Sequence, residues 1–411
     1  MDLEQDPDLH LGFDHPFRGL DKAMLALHAA VLQNGDFESP PSNIKPNSTA
    51  PILLSKNNTI PGWSFNGTVY YLTGGPNISL PGKGHGILLG QNGVIRQTIK
   101  ATSWYAEYIL TFTIAPMGDN CSASTAVNVS ILQPRQPTCS VLLVGRRKTE
   151  SWETHACFLG TWLDDDKPVV LEIRSEPAKT DPNVTCGPIL DTLILKRIGM
   201  PRYYANNMLS NGGFETGPAF VSNSSSGVIL EQIYNPSDHF PNSPLQEWNP
   251  TGIVNYIDAK HFYVPEGNAA TELISDFAGI EMKLVLREGP TYHLTFVAGD
   301  ANNSCIGEFI LAGYAGSKTQ NFTFHSHGNG SAHNFSMNFK ADPDFISNFY
   351  PVTSVGFISY KGSQAEDGTS CGPMIDNVVM LDSSRGLKAR LQTGIMFSSL
   401  ALLAVLLNNV K

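Results

Sequence analysis

The sequence predicts an all-β protein built from two copies of one β-sandwich module. Glycine (37) and proline (27) are plentiful, whereas charged residues make up only 16% of the 411 residues, so turns are common and charged helix-forming runs are scarce. Short segments such as residues 127–131 (VNVSI) and 321–325 (NFTFH) alternate apolar and polar positions, which indicates half-buried antiparallel strands. Many short strands between Gly, Pro and Asn turns predict a β-sandwich or jelly roll.

The duplication is visible in repeated motifs. Residues 186–191 (CGPILD) return as residues 371–376 (CGPMID). We therefore divide the chain into an N-terminal segment 1–30, a first module 31–198, a second module 206–383 and a tail 384–411, with the junction within residues 201–207. Trp63 and Trp248 occupy the same repeat position and are predicted to be core residues, since a buried Trp anchors a sandwich well. Further matches are 32–38 (LQNGDFE) with 209–215 (LSNGGFE), 69–71 (VYY) with 254–256 (VNY), and 108–112 (YILTF) with 292–296 (YHLTF).

The six cysteines suggest disulfides and a secreted protein, because none lies in a CxxC pair. Six cysteines allow 15 connectivities, and the repeat selects one of them. Cys121 and Cys186 are equivalent to Cys305 and Cys371, so each module is expected to hold one of these pairs, worth about 4 kcal/mol on the chain-entropy model. This leaves one further pair, Cys139 with Cys157.

N-glycosylation motifs agree with secretion. Residues 1–21 are acidic and irregular, and the apolar stretch 23–32 that follows resembles a truncated signal sequence, so we expect a defective or misassigned signal in residues 1–30. The motifs begin at Asn47, Asn57, Asn66, Asn77, Asn120, Asn128, Asn183, Asn223, Asn302, Asn321, Asn329 and Asn334.

The tail has the layout of a glycosylphosphatidylinositol attachment signal. Residues 395–407 are mostly apolar but too short to span a bilayer, which needs about 20 residues. A polar spacer (387–394) precedes them, and small residues precede the spacer, with Ser384 the predicted attachment residue. The chain would then be attached to the plasma membrane through a lipid anchor. The alternative is an amphipathic last helix.

Composition and motifs disfavour several function classes. The net charge of −10 without a basic patch argues against nucleic acid, and HExxH and P-loop motifs are absent from the sequence. The acidic runs 164–166 and 366–367 are interpreted as solvated loops rather than a glycosidase carboxylate pair. His325, His327 and His333 could ligate a metal, but the surrounding Gly and Asn favour a flexible loop. We therefore predict no catalytic residues.

The combination of L-x-N-G-x-F-E, P-G-W and C-G-P-x-x-D resembles the plant cell-wall proteins that carry domain of unknown function 642. The resemblance covers residues 31–383 and departs at the N-terminus and at the Cys139/Cys157 pair. It implies an extracellular protein of two galactose-binding-like jelly rolls, associated with cell-wall polysaccharide and with pectin methylesterases.

The same motifs resemble carbohydrate-binding modules in which the early Glu and the late Asp hold a structural calcium. When these roles are transferred to the matching positions of this sequence, the expected calcium ligands are Glu38 with Asp191 and Glu215 with Asp376. Calcium prefers carboxylate and carbonyl oxygens. The alternative is that these acids cap turns.

The predicted function is therefore non-enzymatic binding of a pectin- or cellulose-type polysaccharide in the cell wall. One alternative is a protein-interaction regulator of pectin methylesterase, and a more distant one is a polysaccharide hydrolase or lyase. Sugar recognition stacks an aromatic ring on the sugar. The aromatic residues predicted for this role are Tyr70, Tyr71, Trp152, Trp162, Tyr256, Tyr263 and Tyr350.

Overall fold

Within the part of the chain that the computed structural model describes, the regular elements are all strands, which confirms the all-β prediction. The strands are numbered β1 to β24 along the chain. The structure describes residues 32–42, 50–75, 80, 84–100, 106–117, 126–133, 136–143, 152–162, 167–176, 187–203, 206–222, 224–232, 243–341 and 352–383.

The first module is a sandwich of two sheets. The larger sheet has the strand order β1-β3-β4-β11-β6-β9, and the smaller has β2-β5-β10-β7-β8. Between them lies an apolar core that includes Phe37, Trp63, Phe112 and Trp162. The strands are β1 (Ile52–Leu53), β2 (Ser64–Asn66), β3 (Val69–Thr73), β4 (His85–Leu89), β5 (Val94–Lys100), β6 (Ala106–Pro116), β7 (Ala126–Ile131), β8 (Thr138–Leu142), β9 (Glu153–Trp162), β10 (Pro168–Ser175) and β11 (Pro188–Ile198).

The second module repeats this arrangement. Its larger sheet has the order β12-β14-β15-β24-β17-β20 and its smaller sheet β13-β16-β21-β18-β19, with a separate two-stranded β22-β23 ribbon. The strands are β12 (Val228–Leu230), β13 (Asn249–Thr251), β14 (Val254–Asp258), β15 (Ala269–Leu273), β16 (Gly279–Leu284), β17 (Thr291–Asp300), β18 (Ile306–Ala315), β19 (Lys318–His327), β20 (Ser331–Lys340), β21 (Thr353–Ser359), β22 (Ser363–Gln364), β23 (Ser370–Cys371) and β24 (Met374–Asp382).

The two large sheets join edge to edge into one 12-stranded sheet. Strand β12 pairs in parallel with β9, so that Ile229 lies opposite His155 and Leu230 opposite Ala156. Phe158 and Ile198 of the first module belong to the apolar cluster of the second. A shared core of this kind holds two modules in one orientation far better than a polar contact does.

The repeated N-G-x-F motif forms a turn beneath each module's core. Phe37 and Phe214 adopt positive φ values of 55° and 53°, and both rings are fully buried. The Tyr71 hydroxyl donates to the Phe37 carbonyl oxygen and the Tyr256 hydroxyl to that of Phe214, each at 2.8 Å. These bonds explain why the turn and the downstream tyrosine recur together.

The repeated tryptophans close the same turn from the other side. The indole nitrogen of Trp63 donates to the Asn34 carbonyl and that of Trp248 to the Ser210 carbonyl, both at 3.0 Å. Trp63 is 4% exposed and Trp248 0%. Both are core residues, as the repeat predicts.

Disulfides connect Cys139 with Cys157 and Cys305 with Cys371, two of the three predicted pairs. The predicted Cys121–Cys186 pair lies outside the described residues. The Cys-Gly-Pro motif needs glycine because a Cβ on Gly372 would lie 1.8 Å from the carbonyl oxygen of Leu273.

Six of the seven described sequon asparagines are exposed, and Asn128 is half-buried. The other predicted glycosylation residues (Asn47, Asn77, Asn120, Asn183 and Asn223), the segment 1–30 and Ser384 lie outside the described residues. Within the described ranges, no helix has the length and apolar character needed to cross a membrane.

Candidate carbohydrate-binding site

Three of the aromatic residues predicted to stack on sugar are core residues instead. Tyr71, Trp162 and Tyr256 are only 1%, 2% and 2% exposed. The two tyrosines hold the turns described above, and Trp162 stacks on Tyr108 with ring centroids 3.8 Å apart. Their faces are covered by protein, so the prediction of sugar stacking is wrong for these three.

The remaining aromatic residues do not form one platform. Tyr70 and Trp152 are partly buried and pack against an apolar cluster on the outer face of the first module's large sheet. Tyr263 is 38% exposed and lies in the second module beside Gly330. Tyr350 lies outside the described residues. The structure therefore brings Tyr70 and Trp152 together but leaves Tyr263 apart.

In the second module, the predicted calcium carboxylates accept hydrogen bonds from N–H groups. Glu215 accepts from the backbone nitrogen of Asn268 at 2.8 Å and from its side-chain amide at 3.1 Å. Asp376 accepts from the backbone nitrogens of Glu266 and Asn377, at 3.0 and 2.6 Å. Burial, with the nearby Glu215 and Glu266 charges, raises the pKa of Asp376 to about 7.

The first module uses its carboxylates in the same way. Glu38 accepts from the backbone nitrogen of His85 at 2.8 Å and contacts its ring nitrogen at 3.0 Å, while Asp191 accepts from the backbone nitrogen of Thr192 at 2.6 Å. N–H donors thus point at these carboxylate oxygens, whereas calcium needs further oxygen ligands around it. The described residues contain no group of three or more His, Cys, Asp or Glu side chains able to hold a metal. The geometry fits the turn-capping alternative, and calcium stays a prediction.

The three histidines considered as metal ligands lie on strands rather than on a flexible loop. His325 and His327 belong to β19 and His333 to β20. Backbone pairing of β19 with β18 and of β20 with β17 fixes these strands. This pairing outweighs the local preference of Gly and Asn for a loop. The acidic residues Glu366 and Asp367 are exposed in a turn, as expected, and residues 164–166 lie outside the described residues.

The module junction forms a cavity of about 560 Å³, within the usual range of about 300–1,000 Å³ for ligand sites. Its positive charge comes from Arg197, at the end of β11, and from Arg202, in the linker, and Glu215 contributes one carboxylate. Neither guanidinium is ion-paired to any residue that the structure describes. The walls are formed by Arg197, Gly199, Met200, Arg202, Asn207, Leu209, Asn211, Gly212, Gly213, Glu215, Thr216 and Gln246.

Three other polar side chains of the cavity are committed to the fold. Asn207 donates to the Val378 carbonyl at 2.9 Å, and Asn211 donates to the Thr216 carbonyl at 2.6 Å. The Glu215 carboxylate is held by the turn at Asn268. The two guanidiniums are thus the charged groups left to meet a ligand.

The linker is anchored on both sides of the cavity. The Gln246 side chain donates to the Gly199 carbonyl at 2.9 Å. The Lys196 ammonium crosses the junction and donates to the carbonyls of Gly217 and Pro218, at 2.7 and 3.3 Å, and burial lowers its pKa. The cavity is therefore preformed, which lowers the entropic cost of binding.

A buried charge cluster stabilises the junction next to this linker. His155 is fully buried, with its ring nitrogens 2.6 Å from Glu231 and 3.4 Å from Glu153. Burial opposes its protonation, but the two carboxylates outweigh burial and raise the pKa of His155 to about 9. Glu107 is also buried, which raises its pKa to about 7, with a contribution from Glu247. The cluster joins β9 of the first module to the residue after β12 of the second.

Both repeats match one protein family. The family model with the description "Protein of unknown function (DUF642)" matches residues 30–196 and 207–381. The chain belongs to the DUF642 family.

Two Arabidopsis thaliana proteins resemble this DUF642 chain over most of their length. "Protein TEEBE" is 31% identical over 370 residues, covering 85% of this chain and 90% of the relative. "Protein DUF642 L-GALACTONO-1,4-LACTONE-RESPONSIVE GENE 2" is 30% identical over 377 residues, covering 88% of this chain and 93% of the relative.

Among solved structures, the tandem CBM22-1-CBM22-2 domain of Paenibacillus barcinonensis Xyn10C matches 82% of this chain and 99% of its own, with 11% identity and a TM-score of 0.25. TmCBM61, in complex with β-1,4-galactotriose, matches 44% of this chain and 100% of its own, with 15% identity and a TM-score of 0.28. Similarity at this level does not bear on the ligand of the DUF642 chain.

Sequence reasoning missed the arginine pair of the DUF642 junction. Arg197 ends a strand and Arg202 follows Pro201 in the linker, and two isolated arginines give no charge run that a sequence scan would detect. The usable signal was position, since both lie where one module ends and the next begins, and cavities form preferentially at domain interfaces.

Proposed function

We propose that this protein is a non-catalytic, extracellular polysaccharide-binding protein that takes an acidic, pectin-type chain at the module junction. The observation that carries the proposal is the preformed junction cavity, where Arg197 and Arg202 lack carboxylate partners among the described residues. A guanidinium offers a planar fork of donors that matches a carboxylate in two parallel hydrogen bonds. Uronate residues present such carboxylates along the polysaccharide.

Local charge is expected to outweigh the overall charge of the protein. The net charge of −10 disfavours polyanions at long range, but ions at about 0.15 M screen exposed charges beyond about 8 Å. Direct hydrogen bonds to a charged group contribute about 1.5–3 kcal/mol each. The exposed Met200 beside the arginines adds an apolar surface for a sugar ring.

The arginines can be tested by calorimetric titration with oligogalacturonide. We expect the double variant Arg197→Gln with Arg202→Gln to bind at least tenfold more weakly than the wild type. The matched control is Arg174→Gln, which removes an exposed arginine that is ion-paired to Glu172 at 2.6 Å on the small sheet of the first module. Equal affinity of the double variant and the wild type would refute the assignment.

A regulator that binds pectin methylesterase remains the alternative, and a polysaccharide hydrolase or lyase the distant one. Retained esterase binding by a protein with no affinity for any polysaccharide would favour the regulator, and turnover of homogalacturonan by the purified protein would favour the enzyme. We further propose that the chain is secreted and lipid-anchored at Ser384. Phosphatidylinositol-specific phospholipase C should release it from membranes, and retention after treatment would exclude this anchor.

A further inference from the structure

A second cavity lies in the second module, on the outer face of the large sheet. Its volume is about 290 Å³, and its lining includes Asn255, Phe262, Glu272, Asn303 and Thr369. Asn255 lies on β14 and Glu272 on β15, where the two residues are direct cross-strand partners. The cavity therefore has a rigid floor built from sheet residues.

A buried carboxylate organises this floor. Glu272 is 1% exposed and accepts from the side-chain amide of Asn303 at 2.6 Å, from the backbone nitrogen of Gly372 at 3.1 Å and from the side-chain amide of Asn255 at 3.3 Å. Removing a carboxylate from water is unfavourable unless it is well hydrogen-bonded. The network compensates this cost and fixes the orientation of both asparagine side chains.

The fixed asparagines have unused acceptors. Because both amide nitrogens donate to Glu272, the Oδ1 atoms of Asn255 and Asn303 must accept from elsewhere. Both are buried and have no hydrogen-bond partner in the described part of the chain. An unsatisfied buried acceptor is destabilising, so these atoms favour a ligand with hydroxyl donors.

The first module shows that the fold itself does not require this polar network. Tyr70 and Leu88 occupy the positions equivalent to Asn255 and Glu272, and they too are cross-strand partners. There they pack in an apolar cluster with residues such as Leu72. A local departure from an apolar arrangement that works in the sister module is typical of a functional site.

We propose that this cavity binds an uncharged sugar residue of a polysaccharide. The lining contains no Lys or Arg, and it includes the carboxylates of Glu272 and Asp367, which disfavour a uronate. Phe262 packs on a small apolar cluster at the cavity and offers an apolar face, while the serine and threonine hydroxyls can both donate and accept. This inference goes beyond the acidic site at the junction, since its ligand is uncharged rather than acidic. One chain would then hold two kinds of polysaccharide.

The test is titration of the full chain with neutral galacto-, gluco-, xylo-, manno- and arabino-oligosaccharides. We expect at least one to bind the wild type and to bind Thr369→Trp at least tenfold more weakly, because Thr369 lines the cavity and an indole there takes up its volume. The matched control is Gln364→Trp, an exposed residue of β22 outside the lining, which should bind like the wild type. The Arg197→Gln, Arg202→Gln double variant should retain neutral-sugar binding, so failure of one site is distinguishable from failure of the other.

A second measurement protects the test against misfolding of the tryptophan variant. In the wild type, side-chain amide NMR signals of Asn255 and Asn303 should shift on titration with the responding oligosaccharide. The proposal is overturned if no neutral oligosaccharide binds the wild type, if Thr369→Trp binds as well as Gln364→Trp, or if the two amide signals stay unchanged during saturation.

Discussion

The buried charge cluster at the module junction predicts a defined dependence of stability on pH. The perturbation is Glu231→Gln, which removes one of the two charges facing His155 but keeps an oxygen at the 2.6 Å contact. The pKa of His155 rises from 6.5 to about 9 on folding. At about 1.4 kcal/mol for each tenfold change in proton affinity, this amounts to roughly 3 kcal/mol of stabilisation in the wild type.

The sign follows from linkage. A histidine whose pKa is higher in the folded protein stabilises it fully below the unfolded value of 6.5, and this stabilisation is lost as the pH rises through about 9. The two carboxylates also offset the burial of His155, so if they contribute about equally, each contributes more than half of this net value. The variant should therefore be less stable than the wild type by about 2 kcal/mol or more at pH 6, and this difference should close towards pH 9.5. The raised pKa values of Glu107 and Asp376 also lower stability as the pH rises through about 7, but this effect is common to both proteins and cancels in the difference.

The assay is urea unfolding at pH 6, 7, 8, 9 and 9.5, followed by the fluorescence of buried Trp162 and Trp248. Because the modules share one apolar cluster, a single transition is expected. Asp276→Asn, at an exposed loop carboxylate, serves as a control whose offset from the wild type should not change with pH between 6 and 9.5. If the difference in unfolding free energy between the wild type and Glu231→Gln stays constant over this range, the charged-histidine interpretation is refuted.

Three further comparisons test the repeat architecture by urea unfolding. Gly212→Ala should lower the free energy of unfolding by at least about 2 kcal/mol, because its Cβ would lie 2.0 Å from a strand carbonyl oxygen. The control Gly213→Ala, whose Cβ would have nothing within 4 Å, should change it by less than about 0.5 kcal/mol. Equal effects of the two substitutions would contradict the packing at this turn. Tyr256→Phe should cost about 1 kcal/mol through the lost hydroxyl bond to the turn, and an unchanged midpoint would show that this bond contributes nothing. The Cys305→Ala, Cys371→Ala double variant removes a disulfide that closes a loop with a sequence separation of 66. Its free energy of unfolding should fall by about 4 kcal/mol, and a fall of less than about 1 kcal/mol would contradict the chain-entropy model.

Much of the fold follows from local chemistry that the sequence displays. The N-G-x-F-E and C-G-P-x-x-D motifs mark turns whose hydrogen bonds and close contacts need those residue types, as Gly372 shows. The repeat then restricts the disulfide pairing. The edge-to-edge joining of β9 with β12 was not predictable, since a two-residue parallel pairing leaves no periodic pattern.

The site was less predictable because it depends on which way side chains point. Tyr70 and Tyr71 are adjacent, so in a strand they face opposite sides, and the pattern alone does not say which side is the core. The structure buries Tyr71 and leaves Tyr70 on the outer face. Arg197 and Arg202 gain their meaning only from the junction between two folded modules.

The measurement that tests the central claim most directly compares de-esterified oligogalacturonide with its fully methyl-esterified form, titrated into the wild-type protein. The two ligands have the same sugar backbone and differ in carboxylate charge, which is what the guanidiniums of Arg197 and Arg202 would recognise. Binding of an acidic chain at the junction predicts at least tenfold tighter binding of the de-esterified form, with a preference that weakens as salt is added. Equal affinity for the two forms, or a preference for the ester, would contradict it.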